Sequence, residues 1–432
     1  MRIKSIIFFP FKYGVMETLR RIVRRRSYVP THITDLYFRR LGGVRPRCVA
    51  KLVEASHCKK VEIILTHGWG GGADMYLDGQ IRRATSSGCI VFSLKPDRRF
   101  SGVVGVDMFS GDDNTSFLVR SLSDFNVLCG MDCAITVNEL VLWHLYDKSR
   151  VVSVSSLTHL VNAILKLKKT LNAKMTYLVH DYYCLCPRFT LVASDGCYCA
   201  SEYTMQKCRA CLSCHDEASL PFELGMDVSH WRECFSRLFA QCCEVRTFSE
   251  DTKVRISSCF KGVRPTVVPH TLSCDFKGKY PISKEGCVIG IFGHILPIKG
   301  ARVVVAIAKQ LEQLGRNDVK IKVVGDICGV STTLPSNIKV CGKYKVEDLP
   351  DIIKEEGINI GFMSSICPET FSYVTHELMS LGLPLVCFDL GAPRDAVSRY
   401  DKGAVIPEMT VESAWKTIHE LWVKVVYGKA DI

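Results

Sequence analysis

The chain has 432 residues, 23% charged and 47% hydrophobic, a balance that excludes an intrinsically disordered protein and leaves room for two or three domains with cores of their own. Its formal net charge is +12, and residues 1–60, with 15 Lys and Arg against 3 Asp and Glu, carry all of it; residues 61–432 hold 41 of each sign and are neutral. There are 22 cysteines, and with no export signal a reducing cytosol is the expected compartment, where disulfides are disfavoured.

Residues 1–60 read as a basic arm. Its apolar stretch "SIIFFPF" is too short to span a bilayer and has no small-residue cleavage site after it. Val15, Leu19, Ile22 and Val23 can line one helical stripe, with Arg20, Arg21, Arg24, Arg25 and Arg26 around it. Such a helix suits an anionic membrane surface; a solvated helix packed on its own domain is the competing reading, and nucleic acid is not the expected partner.

From residue 61, "VEIILTHGWGGGADMYLDGQIRRATSSG" predicts a buried strand, a glycine loop and an amphipathic helix. Strands are expected at "CIVFSL", 133–138, 151–156, 175–180, 244–249 and 265–270, with a helix from Leu157 to Leu171. Strands alternating with helices imply a parallel, doubly wound α/β sheet. A polar segment with Gly and Pro near 275–286 marks a boundary. Beyond it, "CVIGIFGHILPIKGARVVVAIAKQLEQLG" repeats the strand, glycine turn and helix, and "KIKVVGDI", "IKVCGKY", "INIGFMSS" and "LPLVCFDL" supply further strands. The expected domains are the arm (1–60), a first Rossmann-like domain for the acceptor (61–278), a second for the donor (279–412), and an amphipathic helix (413–432) that crosses back to the first. The ligand cleft is expected between the halves, at the carboxyl ends of the strands.

Two clusters carry chemistry. In "CPETFSYVTHELMSLGLPLVCFDLGAP" (367–393), Glu369 and Glu377 are eight residues apart, roughly 80° around a continuous helix. With Pro368 opening the helix, one carboxylate stands at its mouth and the other two turns inside, suited to different parts of one elongated ligand. Seven cysteines fall between 184 and 214, in C-x-C, C-x-C and C-x2-C-x2-C spacing. Cys197 or Cys199 with Cys208, Cys211 and Cys214 fits a structural zinc site; unligated thiols or disulfides are the alternatives.

The Glu-x7-Glu stretch, "IGIFGHILPIKG", "THGWGGGADMYL" and "VHDYYCLCPRFTL" occur in an order that resembles the retaining glycosyltransferases of the GT-B fold, group 1 (family 4) type, in the bacterial surface-polysaccharide branch. The resemblance spans residues 61 to 425, nearly everything beyond the arm. It implies that Glu377 holds the ribose of a nucleotide-sugar and Glu369 the hydroxyls of the donor sugar, with Phe371 and Ser372 beside them. Lys299 matches the phosphate lysine, in a turn that Gly293 opens, and Gly391 and Ala392 supply backbone amides near the same end of the sheet. Gly70, Gly71 and Gly72 form the loop next to donor phosphate and acceptor, and His180 contacts the donor sugar. Where relatives have an arginine five residues before the lysine, this chain has His294, a weaker and pH-dependent donor. The resemblance also implies catalysis without a metal, so that zinc, if present, is structural.

The expected activity is transfer of a sugar from a UDP-, GDP- or TDP-linked donor to a lipid-linked glycan for a surface polysaccharide, on the cytoplasmic face of the membrane. Modified DNA as the acceptor, or a non-catalytic scaffold of the same fold, are the alternatives.

Overall fold

The computed structural model of the chain describes residues 38, 42–56, 58–68, 71–97, 102–144, 151–199, 204–214, 220–272, 274, 276, 285–331 and 333–428. The amphipathic stretch at 15–26 and Gly70 lie outside the described residues. The chain forms two compact units, residues 1–178 with 212–245, and residues 179–211 with 246–432.

The first sheet contains β1 (Lys60–Leu65), β2 (Ile90–Pro96), β3 (Val104–Ser110), β4 (Asp113–Val119), β5 (Asp132–Val137), β6 (Lys174–Leu178), β7 (Glu244–Thr247) and β8 (Thr266–Val267), in the order β4-β3-β2-β1-β5-β6-β7-β8. The apolar runs seen in the sequence form the parallel centre, with Val61 opposite Ile90 on one side and Cys133 on the other. β3 and β4 pair antiparallel with each other, and β3 with β2. Residues 151–156, expected as a strand, are not one. Val152 makes a single bridge, and the helix Val154–Leu171 begins at once, because Ser153 caps it reciprocally with Ser156. Local hydrogen bonding here outweighs the β-branched composition of the segment.

The second unit contains β9 (Cys287–Ile295), β10 (Val319–Ile327), β11 (Ile338–Gly342), β12 (Ile360–Met363), β13 (Leu385–Phe388) and β14 (Gly403–Ile406), ordered β11-β10-β9-β12-β13-β14. Its recorded pairings are all parallel. Chain order therefore reverses between β9 and β12, which is the topological switch point where open α/β sheets bind ligands. Alternate residues of β13 separate onto the two faces. Val386 and Phe388 enter one core with Ile307 and Leu311, while Leu385 and Cys387 enter the other with Leu378 and Ile353. The closing helix Val411–Tyr427, expected to cross back to the first half, places Ala414, Ile418, Leu421 and Trp422 in the core of the second unit. Among the described residues, no helix is long and apolar enough to cross a membrane.

Candidate functional site

The loops after β9, β12 and β13 gather most of the residues the sequence singles out. β9 ends in a turn, Pro297–Lys299, that leads into the helix Ala301–Gln313. Two bonds fix this turn to the end of β12: the Ser364 hydroxyl donates to the Lys299 carbonyl at 2.7 Å, and the Ile366 amide to the Ile298 carbonyl at 3.1 Å. Gly300, at φ +86°, makes the approach possible, because a Cβ there would lie 1.9 Å from the Ser364 carbonyl oxygen.

The turn aims Lys299 at the loop after β12. Its Nζ donates to Glu369 Oε1 at 2.7 Å, with the lysine side chain 38% exposed and the glutamate 12%. Burial alone would lower the lysine's pKa, but the charge of Glu369 outweighs it and the net shift is upward, so the ammonium is kept.

Glu369 is not part of a helix, contrary to the expectation that Pro368 opens one. The helix is Tyr373–Ser380, with Ser372 at its N-cap position. The two residues after Pro368 are committed elsewhere. The Glu369 carbonyl accepts from the Ala392 amide at 2.7 Å, and the Thr370 hydroxyl donates to the His180 carbonyl at 2.7 Å. The Ala392 amide, expected to face a ligand, is thus used within the protein. Gly391, at φ +66°, touches the same loop: a Cβ there would sit 2.5 Å from the Glu369 nitrogen.

Glu377 lies inside the helix and is 2% exposed. Its carboxylate has no hydrogen-bond partner among the described residues. Burial, reinforced by the nearby charge of Glu347, raises its pKa to about 7. A buried carboxylate without donors is costly unless a ligand supplies them.

Gly293 and His294 end β9 opposite Gly325 and Asp326 of β10. Gly325 is at φ +129°, and a Cβ there would lie 2.0 Å from the Gly293 carbonyl oxygen, so the paired glycines let the strand ends close together. The His294 ring pairs with the Asp326 carboxylate, and with Cys328 their ligand atoms lie within 4.8 Å of one another. This is the one group of three ligands so placed among the described residues. His294 therefore faces an acid, where an arginine would offer a permanent charge.

Sequence reasoning did not anticipate an aromatic and histidine cluster around Phe371. Phe371 stacks on His376 at 4.6 Å between ring centres and lies 4.4 Å from His270, which is 5.4 Å from His180. His180 stacks on Phe248 at 4.4 Å. Burial, with the like charge of His376 adding to it, pushes His270 down to about 3, so its imidazole is neutral at physiological pH. The β-strand pattern at 265–270 was visible, but only the fold brings His270 to Phe371.

In the first unit, Gly71 (φ +90°) caps the helix Gly72–Ser86, and space is open where its Cβ would be. Just after β1 and β5, His67 Nε2 and Glu139 Oε1 meet at 2.7 Å, both buried, and the Thr66 hydroxyl donates to the same carboxylate at 3.3 Å. Burial raises the Glu139 pKa. Neither residue stands out in sequence; they follow β1 and β5, which are neighbours only in the sheet.

Of the cysteines, Cys197 and Cys214 are exposed, and Cys199, Cys208 and Cys211 are partly buried.

Residues 286–423 match the family described as Glycosyl transferases group 1. No curated protein matches the chain in sequence. Among solved structures, the chain is similar to sucrose-phosphate synthase from Thermosynechococcus elongatus at 13% identity and a TM-score of 0.53, covering 85% of this chain and 92% of that one. It also matches Anabaena Alr3699/HepE in complex with UDP (14%, TM-score 0.48, 86% and 96% covered). A third is the lipopolysaccharide outer core galactosyltransferase WaaB in its apo form (13%, TM-score 0.47, 85% and 91% covered). The fold, two Rossmann-like halves, is GT-B.

Proposed function

We propose that this glycosyltransferase moves a sugar from a nucleotide-sugar donor, with retention at the anomeric carbon, to a lipid-linked glycan acceptor used in surface-polysaccharide assembly. The observation that carries the donor assignment is Glu377, a buried carboxylate with a pKa near 7 and no donor among the described residues. The vicinal hydroxyls of a ribose are two donors at fixed spacing, and charge assistance makes each bond to a carboxylate strong.

Glu369 and Lys299 stand at the switch point of the same sheet, where the rest of the donor would lie. Glu369 accepts from hydroxyls of the transferred sugar. Lys299, held protonated beside it, faces the diphosphate. As the bond between the anomeric carbon and the phosphate oxygen breaks, its electron pair moves to the leaving oxygen, and a positioned cation stabilises that charge. Donor and acceptor meet on one face of the sugar, and the leaving phosphate takes the proton of the acceptor hydroxyl. No carboxylate is needed as a nucleophile, which agrees with the engagement of Glu369 by Lys299.

The acceptor assignment rests on the basic arm, whose composition favours an anionic surface. The donor reading is tested by thermal shift of the purified protein against UDP-, GDP-, TDP- and ADP-sugars, with Glu377→Ala as the control. A stabilisation by one nucleotide that disappears in the variant is expected. No shift with any donor would favour a scaffold that does not catalyse transfer.

A further inference from the structure

Three side chains with metal-binding atoms meet where β9 and β10 end. In the parallel register His294 of β9 stands opposite Asp326 of β10, so both side chains leave the sheet on one face. Cys328, two residues beyond Asp326, returns to that face, because extended backbone alternates its sides with a period of two. The ladder continues far enough to hold it there: the Cys328 amide donates to the Ile295 carbonyl at 2.9 Å. The His294 ring is paired with the Asp326 carboxylate, and one ligand atom from each of the three residues lies within 4.8 Å of the other two. The cysteines between 184 and 214, which their spacing offers as zinc ligands, form no such group among the described residues.

We propose that His294, Asp326 and Cys328 bind one zinc ion at the ends of β9 and β10. A neutral imidazole, a carboxylate and a thiolate bring two negative charges, which a divalent cation cancels. Magnesium and calcium take oxygen ligands, whereas zinc accepts nitrogen, oxygen and sulfur together, in a tetrahedral array at about 2.0–2.3 Å. Such bonds set the ligand atoms roughly 3.3–3.8 Å apart, so atoms already within 4.8 Å have little distance to close. The His294 and Asp326 side chains are 56% and 37% exposed, and rotation about their own bonds makes that movement without shifting the strands. The Cys328 thiol proton leaves to solvent as the ion binds. An ion pair of histidine and aspartate alone would need no thiol beside it.

Three protein ligands leave the fourth tetrahedral position to water or another small oxygen ligand. The ion pins the end of β10 to that of β9 directly before the turn Pro297–Lys299. The chain beyond Cys328 already rests on this turn, since a Cβ on Gly329 would lie 2.5 Å from Pro297 Cγ. Zinc thus steadies, from the strand side, the turn that carries Lys299, and the site stands whether or not the donor assignment holds.

The test strips the full-length protein with a chelator under reducing conditions, dialyses it against zinc, and measures zinc per chain in the wild type, Cys197→Ser, Cys328→Ala and His294→Ala. The wild type and Cys197→Ser are expected to hold about one zinc more per chain than Cys328→Ala or His294→Ala. Taking the difference between chains cancels any zinc held by other cysteines. Equal zinc in the wild type and either ligand variant, or a folded wild type that takes up none, would overturn the assignment. X-ray absorption of the wild type at one equivalent of zinc decides the matter without a variant, should Cys328→Ala or His294→Ala not fold. One sulfur among nitrogen and oxygen neighbours supports the site, and a shell of sulfur alone, or one with no sulfur, refutes it.

Discussion

Replacing Glu377 by glutamine removes one titration and little else, which makes its effect calculable. The glutamate is 2% exposed, and its pKa of about 7 stands above the ordinary 4.5. The folded chain thus holds the proton more tightly than the unfolded one. Stability from this group is fully present below pH 4.5 and is lost as pH rises through 7. At about 1.36 kcal/mol per unit, the full loss is roughly 3 kcal/mol, most of it between pH 5 and pH 8. A glutamine has no such loss, and its own buried amide costs the same at every pH. Relative to wild type, the apo Glu377→Gln variant should therefore gain roughly 2–3 kcal/mol on going from pH 5 to pH 8, which for a unit of this size corresponds to roughly 5–10 °C in Tm. Melting both proteins across that range isolates the effect, since every other titrating group is common to them. A difference in Tm that does not change with pH, or one that moves against glutamine as pH rises, would refute the argument. The same variant should bind donor more weakly, and wild-type binding below pH 7 should release a proton as the ribose hydroxyls favour the ionised carboxylate.

Lys299→Ala should leave the fold intact, by circular dichroism, and lower kcat by roughly 10²–10³-fold, as expected for loss of a positioned charge at a leaving group; near-normal turnover would remove Lys299 from the mechanism. Gly391→Ala should cost roughly 1–3 kcal/mol and also depress activity, because its Cβ meets the Glu369 backbone at 2.5 Å in a left-handed conformation; a variant that melts normally and turns over normally would show that the loop yields freely. Deleting residues 1–27 should abolish co-sedimentation with anionic vesicles and spare donor hydrolysis, and persistence of binding would assign membrane contact elsewhere.

The second sheet was largely legible, because "CVIGIF", "KIKVVG" and "LPLVCF" are unbroken apolar runs, the pattern of strands buried on both faces. The hairpin of β3 and β4 was not, because Asp113, Asn114, Thr115 and Ser116 are polar and exposed and give no apolar alternation. Lys299, Glu369 and Glu377 could be named from spacing and resemblance, but the helix start at Tyr373 rather than Pro368 could not. That start depends on partners far off in the chain: the Ala392 amide takes the Glu369 carbonyl that would otherwise close a helical turn, and the Thr370 side chain is tied to the His180 carbonyl. Likewise the movement of the chain between units at 178–179, 211–212 and 245–246 leaves no mark in composition, since each crossing lies inside or beside an ordinary strand or helix.

The glycines around the site explain why its two carboxylates differ. Gly300 and Gly391 each admit backbone where any side chain would collide, one against Ser364 and the other against Glu369. They press the loops after β9, β12 and β13 together, and that compression is what brings Lys299 within 2.7 Å of Glu369 in a half-buried place. Glu377 is set by a helix instead, with its main-chain carbonyl occupied by Ser380 and Leu381 and its carboxyl without a hydrogen-bond or ion-pair partner among the described residues. Glu369 is thus satisfied by Lys299, while the buried Glu377 carboxyl, with no donor among the described residues, makes the fold less stable as pH rises through 7.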